Sequence, residues 1–151
     1  MTTILCDVVH GLMAADSYQE QDSRWIDVGP KIASLECGLV AHAGYHDIGL
    51  LWRAWLEQGA LAADRPALPD FGGLQLDRKG QLWVYTSACV PMPLTHPWYA
   101  LGSGSDYAMA ALYCGRSILE ALRVTTHFNV YTRPPFIVYS LKDPDPMIYE
   151  A

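Results

Sequence analysis

Two apolar periods alternate along the chain in an order that limits the folds open to it. Short runs with strand character come first, over residues 2–9 and, after the His10-Gly11 turn, over 12–15. The stretch 16–27 is polar and irregular, and a short extended segment over 28–32 leads through a turn at 36–38 into a strand over 39–43. Between Asp47 and Gln58 the period changes: Ile48, Leu51, Trp52, Trp55 and Leu56 recur at helical spacing, and Gly59 follows as a stop. A loop over 60–72 precedes a hairpin, 74–76 and 82–85, around Arg78-Lys79-Gly80. Pro91, Pro93 and Pro97 keep the next segment out of any central strand. A strand over 98–101 then runs into Gly102-Ser103-Gly104-Ser105, and a helix opens at Asp106 and ends at Gly115. The capping-box spacing of Ser117 and Glu120 opens a second helix to about residue 125. Residues 128–132 and 136–140 read as closing strands, and the polar, proline-containing 142–151 as a tail. Antiparallel strand pairs with helices grouped between them predict an α+β layered domain whose helices cover sheet faces.

The length of 151 residues suits one domain with a core that needs no staples. Hydrophobic residues at 51% and charged residues at 17% exclude disorder over most of the chain. Sixteen Asp plus Glu against ten Lys plus Arg, with no basic run, argue against a nucleic-acid partner. No apolar stretch is long enough to span a bilayer, and no basic segment followed by an apolar one marks a secretory signal. Cys6, Cys37, Cys89 and Cys114 are widely spaced with no Cys-x-x-Cys pair. They read as small buried hydrophobes in a reducing compartment, neither a disulfide frame nor a zinc site. The expectation is a soluble cytoplasmic domain without metal or cofactor.

Chemistry enters at the beginning of the chain. Thr2 follows the initiator Met1, and a small second residue permits removal of the methionine, leaving a free threonine amine. A threonine hydroxyl is a poor nucleophile at neutral pH. Its own α-amino group, with an ordinary pKa of about 7.7–8.0, can accept the hydroxyl proton. Such a site needs a nearby cation to favour the neutral amine, and a backbone N–H for the oxyanion.

Met1-Thr2-Thr3-Ile4, Met13-Ala14-Ala15-Asp16, Gly29-Pro30-Lys31, Ala43-Gly44 and the run Ala100-Leu101-Gly102-Ser103-Gly104-Ser105-Asp106-Tyr107-Ala108 occur in an order and spacing that resemble the proteasome β-subunit family. Within it, the sequence is most similar to the bacterial HslV-type peptidases and short bacterial or phage homologues. The resemblance spans residue 2 to about 141, so a domain over 1–141 is expected, followed by the tail. It implies the four-layer αββα sandwich of N-terminal-nucleophile hydrolases, two antiparallel sheets flanked by helices. It also implies a threonine-type endopeptidase working as a closed homo-oligomeric ring on peptide or unfolded protein, with an ATP-dependent unfoldase as partner. By resemblance, Thr2 is the nucleophile and its amine the base. Asp16 orients Lys31, which lowers the amine pKa and steadies the oxyanion, while Gly44 supplies the oxyanion N–H. Ser103 bonds the threonine amine or its water, with Ser105 in support. Asn129 and Thr132 stand in the place of an Asp-x-Tyr-Ser pattern of eukaryotic and archaeal members. Thr132 is a chemically similar replacement, but Asn129 carries no charge, and HslV-type chains lack that aspartate too.

His42 and His46 lack the helical spacing of a metal pair, and His127 stands apart; the resemblance puts the first two near the first specificity pocket and makes it polar. Two other readings stay open on the sequence. One is a catalytically silent homologue that retains Met1 and serves as an assembly module. The other is an N-terminal-nucleophile amidase acting on a small molecule.

Overall fold

The computed structural model describes residues 2–18, 20, 21, 24, 25 and 30–151. Met1, Gly29 and the first part of the extended segment expected over 28–32 lie outside the described residues.

One five-stranded antiparallel sheet takes the order β10-β1-β2-β11-β12, from Trp98–Gly102, Thr3–Asp7, Leu12–Ala15, Phe136–Ser140 and Asp143–Tyr149. A second takes the order β5-β6-β7-β8-β9, from Ile32–Leu35, Gly38–Ala43, Gly72–Leu76, Leu82–Tyr85 and Met92–Leu94. A two-stranded ribbon, β3 (Glu20–Gln21) and β4 (Arg24–Trp25), lies within the stretch expected to be irregular. Three helices complete the fold: α1 (His46–Glu57), α2 (Ser105–Tyr113) and α3 (Ile118–Phe128).

The period of two decides which side chain meets which layer. On β1 and β2, Ile4, Cys6, Met13 and Ala15 turn inward to meet Ile32, Leu39, Ala41, Leu74 and Leu76 of the second sheet. Their neighbours Leu5 and Ala14 turn the other way, onto Ala108, Ala111 and Leu112 of α2 and Ala121 and Leu122 of α3. On β6, Val40 faces outward and packs with Trp52, Trp55 and Leu56 of α1. The layers are therefore helix, sheet, sheet, helix, as the resemblance implies. The alternation also sends Thr3 toward α2 and α3, and His42 toward α1.

The capping box forms as its spacing predicts. The Ser117 N–H donates to Glu120 Oε2 at 2.9 Å and the Glu120 N–H to Ser117 Oγ at 3.3 Å. Two expectations fail nearby. Residues 128–132 form no strand: α3 runs on to Phe128, whose ring stacks on Tyr107 at 5.4 Å, and a turn closed by the Thr132 N–H on the Asn129 carbonyl follows. The expected tail is an edge strand, β12, paired with β11 from Phe136↔Tyr149 to Ser140↔Asp143. Pro144 and Pro146 are tolerated there because an edge strand has no partner on its outer side. Among the described residues no helix is long and apolar enough to cross a membrane.

Candidate active site

Asp16, the residue after β2, is 1% exposed and gathers four donors. Its Oδ1 accepts from the Thr3 N–H at 2.9 Å and from Lys31 Nζ at 2.7 Å. Its Oδ2 accepts from the Tyr18 N–H at 3.0 Å and from the Arg133 N–H at 3.3 Å. A carboxylate taken out of water needs this degree of satisfaction. The result is a junction of three segments: the start of β1, the approach to β5 and the loop before β11. Lys31 is 6% exposed. Burial pushes its pKa below the ordinary lysine value, and the Asp16 carboxylate pulls it back up, favouring the charged form.

Thr2 is held from the other side. Its carbonyl accepts the Ser103 N–H at 2.7 Å, with Ser103 Oγ at 3.4 Å. That approach explains the glycines around Ser103. Gly102 has φ +99°, and a Cβ there would stand 1.9 Å from the Thr2 carbonyl oxygen. A Cβ on Gly104 would stand 2.3 Å from Thr3 Oγ1, which itself lies 2.6 Å from Thr132 Oγ1. Thr2, Asp16, Lys31 and Ser103 are thus joined through the backbone of residues 2 and 3. Thr3 and the Arg133 N–H belong to the same network. Neither has a part legible in the sequence, because one acts through a buried hydroxyl and the other through a backbone N–H. Ser105 opens α2.

Gly44, His42 and His46 sit together at the β6–α1 corner. Gly44 has φ +113°, and the Asp70 carbonyl would lie 2.4 Å from any Cβ, so the corner is closed to other residues. Among the described residues no hydrogen bond joins Gly44 to Thr2, Asp16 or Lys31. The His42 ring lies under Gly49 of α1, in space that a Cβ would occupy, 5.6 Å from the His46 ring and 6.4 Å from Phe71. Its Nδ1 is buried without a hydrogen-bond partner. Burial first, then the charges of Arg53, His46 and Lys31, push its pKa from 6.5 down to about 3. Among the described residues no cluster of His, Cys, Asp and Glu could hold a metal ion.

A depressed histidine pKa has a definite sign in the stability curve. Between about pH 6.5 and 3 the unfolded chain takes up a proton at His42 that the folded chain refuses. Stability is therefore retained above this window and falls through it as the pH drops, by at most about 1.4 kcal/mol per pH unit. Urea denaturation at pH 7 and pH 4.5 measures the effect. The wild type is expected to lose roughly 2 kcal/mol more than His42→Gln over that interval.

The fold has known counterparts. BPH from Thiobacillus denitrificans superposes with a TM-score of 0.62 at 17% identity, over 95% of this chain and 99% of that one. The same protein in complex with epoxomicin gives 0.62 at 14% identity, over 99% of each chain. The eukaryotic HslV from Trypanosoma brucei gives 0.72 at 16% identity, over 91% of this chain and 98% of the other. These likenesses, at low identity, establish a shared fold, the four-layer sandwich of two antiparallel sheets between helices. No protein-family model and no curated protein matches the sequence.

Proposed function

We propose that the protein is a threonine-type endopeptidase of a proteasome-like, self-compartmentalised ring, active once Met1 is removed. The observation that carries this reading is the buried Lys31–Asp16 pair at 2.7 Å, whose carboxylate also holds the N–H of Thr3, next to Thr2. A buried ion pair is weak evidence for stability alone; beside a residue that processing makes N-terminal, it supplies the cation that the chemistry requires. The shared fold supports the reading, and so does epoxomicin, which the Thiobacillus protein of that fold binds.

In the reaction, Thr2 Oγ1 attacks the scissile carbonyl while the free α-amine takes the hydroxyl proton. The Lys31 ammonium disfavours a protonated amine by like-charge repulsion and, with the Gly44 N–H, stabilises the oxyanion. The amine then hands its proton to the leaving nitrogen as the peptide C–N bond breaks, leaving an ester on Thr2. Water, deprotonated by the same amine, releases the acyl fragment and restores the hydroxyl. Ser103 holds Thr2 in place, and His46 gives the adjoining substrate pocket a polar side chain, whereas His42 is buried beneath Gly49 and does not line it. A ring of identical subunits confines this activity, and an ATP-dependent unfoldase delivers the substrate.

Intact-mass measurement after incubation with an epoxyketone tests the reading. The expected result is loss of the Met1 mass and one adduct, absent from Thr2→Ala. Retained Met1 without adduct would overturn it.

A further inference from the structure

Lys31 is anchored at one end by Asp16, but its backbone lies just before the β5–β6 ladder, whose pairing starts at Ile32↔Ala41. A contact from α1 also reaches the residue that carries the ammonium. The Arg53 Nη2 donates to the Lys31 carbonyl at 2.7 Å. Arg53 lies between two of the residues, Trp52 and Trp55, that pack α1 onto β6 and β8, so its base is held by the helix core.

The cost of this arrangement marks it out. The guanidinium is half-buried, its Nε is enclosed without a partner, and burial pushes its pKa below the ordinary arginine value. Among the described residues no carboxylate lies within ion-pair distance of it; Glu57 and the Tyr139 hydroxyl act on it only at longer range. A charge drawn out of water without an ion pair is unfavourable for the fold. Its one hydrogen bond among the described residues goes to the backbone of Lys31.

Resting on the peptidase reading, we propose that Arg53 is a positioning residue that sets the Lys31 ammonium for the reaction at Thr2. It acts through the Lys31 backbone and does not touch substrate.

The test compares wild type, Arg53→Met, Arg53→Gln and Arg53→Lys, all with Met1 removed, in hydrolysis of fluorogenic peptides and in backbone hydrogen exchange. Arg53→Met is expected to lower kcat by about tenfold to a hundredfold with KM little changed, the scale of a misplaced catalytic group. Exchange over residues 30–35 rises in the same variant. Arg53→Lys, which keeps a charged donor, recovers most of kcat, and Arg53→Gln, with a neutral donor, falls between. If Arg53→Met does not fold, the glutamine and lysine variants carry the comparison. Wild-type kcat in Arg53→Met, or unchanged exchange over 30–35, overturns the proposal while the peptidase reading stands. A wild type that neither hydrolyses peptide nor accepts the electrophile defeats the peptidase reading, and the positioning role with it.

Discussion

Asp16→Ala is expected to lower stability by about 3–5 kcal/mol, the usual result of breaking a buried ion pair by removing one member. The carboxylate lost is 1% exposed, and four donors converge on it. The Lys31 ammonium, 6% exposed, loses its ion pair with this carboxylate. Urea denaturation at neutral pH reads the loss. The double variant Asp16→Ala, Lys31→Met separates charge from connectivity. Replacing the ammonium restores part of the stability, because an apolar side chain tolerates burial there better than a cation deprived of this carboxylate. Peptide hydrolysis, in contrast, is expected to be lost in the single variant and to stay lost in the double. Recovery of activity in the double variant would show that Lys31 has no part in the reaction.

The second large effect is at Gly102. Alanine there puts a methyl group 1.9 Å from the Thr2 carbonyl oxygen and forces a left-handed backbone at φ +99° on a residue with a Cβ. The atom that must give way is backbone, so the strand pair Thr3↔Gly102 has to open. Gly102→Ala is expected to cut hydrolysis by at least about a hundredfold, because Thr2 moves by more than its chemistry allows. Gly80→Ala is the matching control. It also has positive φ, at +84°, but its Cβ meets nothing within 4 Å, so strain without displacement leaves kcat near the wild-type value. Steady-state kinetics on the two variants settles which of the two glycine roles matters at the site.

Much of the architecture is legible in the sequence because it rests on local signals. The period of two in β1, β2 and β6, the helical spacing from Ile48 to Leu56, and the Ser117–Glu120 cap all act over a few residues. The misread segments are those where tertiary context overrides composition. Phe128, Val130 and Tyr131 look like a strand. In the fold Phe128 ends a helix against Tyr107, while Thr132 turns inward to Thr3. In 142–151, Pro144 and Pro146 read as tail residues, although an edge strand accommodates them. The site divides in the same way. Asp16, Lys31 and Ser103 are legible as residue types in order, and the structure brings them together around residues 2 and 3. The backbone donors of Tyr18 and Arg133 are not, because an N–H carries no sequence signature. Arg53 reads as the polar face of an amphipathic helix, and nothing in its spacing points to a carbonyl on another element.

The Asp16 junction also bears on when the protein becomes able to act. One of its donors, Arg133, is 117 positions away in the chain, and Thr132, which meets Thr3, is 129 positions away from it. During synthesis the first strand pair and Lys31 leave the ribosome long before these partners exist. β11, which must dock beside β2, follows them later still. Contacts of such separation form late, since each requires closing most of the chain into a loop. On the proposed function, a growing polypeptide therefore carries its nucleophile unarmed, and competence arrives only when nearly the entire domain has been made and has closed upon itself. A hydrolase of extended chains is, by this order of assembly, spared from its own unfinished copies.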